Sequence, residues 1–293
     1  MSPSGAASFR FVQMDVPGTI GIDDGRYLLR ASADDEEETV VVVQTFGAPA
    51  AARPGRRRRR PRPVDLPEPP AEVPVTRLTV IPADEVSPEA AKEELDSLAG
   101  EAETTEAAVA AGLRAANRVL RAQRIATQDP YGHEIARAAP LAVRVGFGTG
   151  GELADGQWTR ALDIPSPDRR RRRTEALRPQ ERLAELLAGR EVVDVCETLL
   201  LRARADVNQG RMREAALQLA AGLEALLTEL PHHKGPGQED DLASLRERRD
   251  SIRQTSTDAS RGDLAAEQVA EVSETLEICE RVLRRRQALR DSG

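Results

Sequence analysis

Hydrophobic residues follow two different periods along this chain, and the change of period divides it. Up to about residue 165 they come in short alternating or continuous runs bounded by turn residues, the pattern of strands. Phe9–Val16 is closed by Pro17-Gly18, Arg26–Ala31 follows Asp23-Asp24-Gly25, and Thr39–Phe46 contains the run Val40–Val43. The acidic connection Asp34–Glu38 discourages that valine run from pairing with other chains. Three such strands form a meander that cannot bury a face alone, so more strands or a covering helix must follow. Val75–Ile81 resumes as a strand whose expected partner is the first block.

Helix comes next. Ser87-Pro88-Glu89 supplies a capping residue and a proline at the first helical position. Ala91, Leu95 and Leu98, then Val109, Leu113, Ala116 and Leu120, lie on one helical face. The spacing predicts helix over 87–128, lying across the sheet and ending before Asp129-Pro130. Leu141–Phe147 and Gln157–Ile164 are expected as a second strand pair joined by a Gly-rich turn.

From Glu175 onward the period is helical throughout. Pro179-Gln180-Glu181 is expected to open a short helix with Leu183, Leu186 and Leu187 on one face. Val192, Cys196, Leu199, Leu200 and Ala203 line the next, and Asn208-Gln209-Gly210 breaks the chain. Met212, Ala216, Leu219, Leu223, Leu226 and Leu230 then alternate by four and three. A Pro- and Gly-rich loop at 231–237 leads to a polar helix near 240–254. The last helix, from about Asp263, carries Val269, Val272, Leu276, Cys279 and Leu283. The Gly210 hairpin, with Arg211-Met212-Arg213-Glu214-Ala215-Ala216 opening its second helix, resembles one tetratricopeptide unit. No second copy follows at the ~34-residue period that such arrays need.

The expected fold is therefore α+β. An N-terminal, mostly antiparallel sheet of about five or six strands with a long packed helix occupies 8–165, and a helical bundle occupies 175–291. Residues 48–74, rich in Pro and Arg and almost without large apolar side chains, read as a disordered insertion in the first domain. Residues 166–174 read as a basic linker between the two.

Composition narrows this picture. Aromatic residues are only 2% of the 293, so the core must be built from Leu, Val and Ala, which suits closely packed helices. The formal net charge of −7 argues against a surface that binds nucleic acid as a whole. Two cysteines are too few for a disulfide framework or zinc ribbon, and both fall on apolar seams as reduced thiols. No run reaches the ~18 apolar residues of a membrane span, and the first residues lack the pattern of a signal peptide, so a cytoplasmic location is expected.

The basic residues are concentrated. Arg56, Arg57, Arg58, Arg59 and Arg60 form one run; Arg169, Arg170, Arg171, Arg172 and Arg173 form another. Net charges by segment are −5 for 1–47, +4 for 48–74, −5 for 75–165, +4 for 166–174 and −5 for 175–293. The runs are candidate polyanion contacts. No aromatic residues interleave them for base stacking, and lysine occurs only at Lys92 and Lys234, the bias of a GC-rich genome.

Site chemistry is sparse. Gly146-Phe147-Gly148-Thr149-Gly150-Gly151 matches G-x-G-x-x-G after a strand, but only Glu152–Asp155 separate it from Gly156. That is too short for the helix a pyrophosphate site needs, so a hairpin turn with positive-φ glycines is expected. Tyr131, His133, Arg144 and Trp158 are the candidate ligand pocket, although Tyr131 and Trp158 also suit core plugs, the former at the helix–sheet junction. No nucleophile motif or zinc pattern accompanies His133, and the adjacent His232 and His233 do not suit one metal. No cofactor or catalytic set is indicated. The expected function is a non-enzymatic interaction or scaffold protein acting through its helical half on a protein partner or on itself. A nucleic-acid-associated protein using the arginine runs is the alternative, and a small-ligand protein using 131–158 the second.

Overall fold

The structure, a computed structural model, describes residues 7–30, 38–47, 73–165, 173–230 and 237–290. It is α+β and divides into two units, Met1–Arg169 and Arg170–Gly293. The first contains β1 (Ser8–Pro17), β2 (Gly25–Arg30), β3 (Glu38–Phe46), β4 (Val75–Pro82) and β5 (Glu85–Val86). These are followed by α1 (Pro88–Gly100), α2 (Ala102–Thr127), β6 (Ala142–Thr149), α3 (Gly150–Ala154) and β7 (Arg160–Ile164).

All strand pairs are antiparallel, in the order β2-β3-β4-β1-β6-β7, with the short β5 beside β1. The first three strands do not form the expected meander. β1 sits in the middle, with Val12 opposite both Val80 of β4 and Val145 of β6. The reason lies in its composition: from Phe11 to Val16 every residue is buried, so both faces and both edges require neighbours. β2 alternates between half-buried and exposed positions and takes an edge.

Two apolar layers result. Val12, Met14, Val41, Val43, Leu78, Val80, Val143 and Val145 meet α1 and α2 on one face. Phe11, Val42, Ile81 and Leu153, with Phe9, Val40 and Trp158, form a smaller layer on the other. Ser87 Oγ accepts from Ala90 N (3.1 Å) and Pro88 opens α1, as its sequence requires. Helix over 87–128 is two helices, not one. Glu101 is extended, and Thr105 Oγ1 donates to Leu98 O (2.6 Å), satisfying a carbonyl at the end of α1. α2 ends at Gln128 in the left-handed region, just before Asp129-Pro130. Buried Asn117 then pins the following segment: its Nδ2 donates to Ile135 O (3.1 Å) and its Oδ1 accepts from Ile135 N (2.7 Å).

The Gly-rich stretch differs from the expected turn. Gly146 and Gly148 lie in β6 and Gly150 and Gly151 in α3; of this region's glycines only Gly156 has positive φ. Their role is close approach: a Cβ at Gly146 would stand 2.1 Å from Arg160 O of the paired β7. α3 is one turn with a capping box between Thr149 and Glu152.

The second unit contains α4 (Arg173–Leu187), α5 (Val195–Asn208), α6 (Met212–Glu229), α7 (Gln238–Arg261) and α8 (Ala266–Arg290). Cys196, Leu200, Ala203, Ala216, Leu219, Leu223, Leu226, Leu245, Ile252, Val272, Leu276 and Cys279 close one core between α5, α6, α7 and α8. Gly210, at φ +73°, makes the turn from α5 to α6. Arg204 clamps α5 to α8 through both oxygens of Glu280 (2.7 and 2.8 Å). Pro179 lies inside α4 instead of opening it, and among the described side chains of α4 Leu183 and Leu187 are exposed.

Candidate functional site

Register places Arg144 and Trp158 together. Gln13 of β1 faces Arg144 of β6, and Asp15 faces Arg77 of β4, all on the sheet face opposite α1 and α2. Arg77 grips Asp15 with Nε (2.7 Å) and Nη2 (3.0 Å), and Arg144 Nη1 adds a bond to the same carboxylate (3.0 Å). Burial by itself raises the Asp15 pKa, but the two guanidiniums outweigh it and hold the carboxyl below its ordinary range. Gln13, fully buried, donates to Thr79 Oγ1 (3.1 Å) and Gly156 O (3.2 Å). Arg144 also covers the Trp158 indole at 5.3 Å, and Trp158 stacks on Phe11 with centroids 6.0 Å apart. Asp15 is thus committed to two cations and has no spare role as a base.

His133 and Tyr131 lie on the helix side of the sheet. His133 lines a small crevice of about 60 Å³ with Ile20, Gly21, Leu120 and Arg124. Tyr131 is 82% exposed and plugs nothing. Ile135, buried and anchored by Asn117, takes the place against the core expected for Tyr131. The four residues therefore do not line one pocket. A sheet's two-residue period turns Arg144 to the face opposite α2. Asn117 and Ile135 were the residues missed; an Asn in a helical apolar pattern was their only sequence signal.

The first arginine run and Arg169 to Arg172 lie outside the described residues, as do His232 and His233. Arg173 is the first residue of α4, and its side chain lies outside them too. Among the described residues, no group of three or more His, Cys, Asp or Glu side chains is arranged to hold a metal ion. Among the same residues, no helix is long and apolar enough to cross a membrane.

The helical unit offers a different kind of surface. Between residues 183 and 201, Leu183, Leu187 (79%), Val192 (77%), Val193, Val195 and Leu201 (72%) are exposed. They are six of the thirteen large apolar side chains exposed among the described residues, gathered in one short stretch. Ion pairs fix its backbone. Arg182 of α4 reaches both oxygens of Glu197 on α5 (2.7 and 2.8 Å) and Glu191 between them (3.1 Å). Glu229 at the end of α6 accepts from Val195 N and Cys196 N (3.1 Å each), capping α5 with a carboxylate. Beside Leu201, Leu200 and Leu283 line a crevice of about 270 Å³ rimmed by Arg182, Glu197, Glu280 and Arg284. Periodicity places Val192 and Leu183, Leu186 and Leu187 on apolar helix faces, but spacing marks a face without saying whether anything covers it.

Both thiols are buried. Burial pushes Cys196 up to about 12, with the Glu229 carboxylate adding to it, and burial does the same to Cys279. Comparison with protein-family models, curated proteins and solved structures finds no match.

Proposed function

We infer that this chain is a non-enzymatic protein-interaction protein whose helical half supplies the contact surface. One observation carries the reading: the exposed aliphatic group from Leu183 to Leu201, held on a backbone fixed by Arg182 and Glu229. Such a group left in water is unfavourable, and contact with a second protein removes it from solvent. Its margin carries both signs of charge, Arg182 and Arg190 beside Glu185, Glu191 and Glu197, which suits a two-fold contact between copies of the chain.

Sedimentation of the full chain at rising concentration, beside the double variant Leu187→Asp, Val192→Asp, tests this. A dimer in the parent and a monomer in the variant support self-association. A monomeric parent that captures a protein from its own extract, lost in the variant, supports a different partner. Parent and variant both monomeric, with identical captured proteins, overturn the reading.

A further inference from the structure

A gap lies between the helices and the sheet of the first unit. α2 presents Ala108, Ala111, Gly112 and Ala115 where larger side chains would close the space toward α1, leaving a crevice of about 430 Å³. Val12, Val80 and Val145 form its floor, and Leu95 and Leu98 of α1 form a wall. The depth is fixed by contact: a Cβ at Gly112 would stand 2.6 Å from Val12 Cβ, so α2 is already seated on the sheet. The space beside that contact is not closed by settling of the helix. Its volume lies within the roughly 300–1,000 Å³ of small-molecule sites, and its lining is almost wholly apolar with few polar groups. Wall atoms facing such a gap lack dispersion partners that an apolar chain would supply.

The polar group at the mouth selects the other end of the occupant. Arg10 shares the strand face of Val12 and precedes it by two residues. Its Nε donates to both oxygens of Glu94 (2.8 and 2.6 Å), which holds the guanidinium at the rim. The two terminal nitrogens of Arg10 make no hydrogen bond with the described residues. A guanidinium edge of this kind matches a planar carboxylate, and the neighbouring charge of Glu94 disfavours a dianion.

We propose that the crevice between α1, α2 and the sheet binds a single-chain amphipathic carboxylate, its chain on Val12, Val80 and Val145 and its head on Arg10. Calorimetric titration of the full chain with decanoate and with decan-1-ol tests it. The parent takes up one equivalent of decanoate about tenfold more tightly than the alcohol. Arg10→Gln abolishes that preference and leaves the alcohol's affinity unchanged. Ala111→Phe, at an exposed wall position, weakens both about tenfold by filling the space, and Ala108→Leu does the same if the phenylalanine variant is unstable. Absence of saturable uptake, equal affinity of the parent for both compounds, or parental affinity in the filled variants overturns the proposal.

Discussion

Asp15 shows how much a single position depends on its neighbours across the sheet. Its carboxylate receives two guanidiniums from different strands, and all three side chains are largely buried. Asp15→Asn leaves Arg77 without a countercharge and Arg144 with only the exposed Asp163 (3.1 Å), and should cost about 2 kcal/mol in urea unfolding. That is less than the ~3–5 kcal/mol of fully buried pairs, because water still reaches the arginines. The pH dependence follows from the lowered pKa. The contribution is fully present above the unfolded carboxylate value near ~3.9 and disappears as pH falls through the lower folded value. The stability gap between parent and Asp15→Asn should therefore narrow on acidification below about pH 4. The cysteines give a second test. With both thiols raised to about 12 and fully buried, a thiol reagent at pH 8 should leave the native protein unlabelled and titrate both groups once denaturant unfolds it.

At the scale of elements, glycine positions separate what the chain states from what it conceals. The G-x-G-x-x-G match predicts a turn of positive-φ glycines, and the short gap before Gly156 excludes a phosphate-binding helix; the structure shows backbone crowding at Gly146 instead. That the crowding comes from β7, not from a turn, depends on a pairing partner some fifteen residues away. Gly146→Ala would push a methyl group into Arg160 O and should separate the β6–β7 pair. We expect a loss of about 1–3 kcal/mol in chemical unfolding, as for other overpacked sites. Gly148→Ala meets flexible Leu153 first and the backbone only at 3.2 Å, so its loss should be smaller. The helix starts at Ser87 and ends before Asp129 were legible because caps and prolines act locally. The break at Glu101 was less so, since the apolar spacing on either side of Gly100 allows one helix or two. Pro179 misled for a similar reason: proline is favoured in the first turn but does not exclude an interior position.

Across the whole chain, acidic and basic segments alternate. The acidic units each carry their own core, one from the sheet with α1 and α2 and one from α5 to α8. The arginine runs stand at residues 56–60 and 169–173, the second where the division into units falls. The alternative reading of the chain, phosphate binding by these runs, predicts retention on duplex DNA that weakens steeply between roughly 50 and 200 mM salt. Replacing both runs by Gly/Ser should abolish that retention; retention unchanged by the replacement assigns binding to another surface.

The sequence by itself determined the α+β division, most strands and helices, the helix start at Ser87 and end before Asp129, and that apolar seams of Leu, Val and Ala form the cores. These are consequences of local sterics and of a period read over a few residues. Only the tertiary structure decided that β1 lies at the centre of the sheet and that Arg144 and His133 face opposite sides. It also decided that Leu183 and Leu187 stay in water and that small residues on α2 leave a crevice over Val12. Each of these depends on what another segment brings to the same place, and hydrophobic spacing marks a face without naming what will cover it.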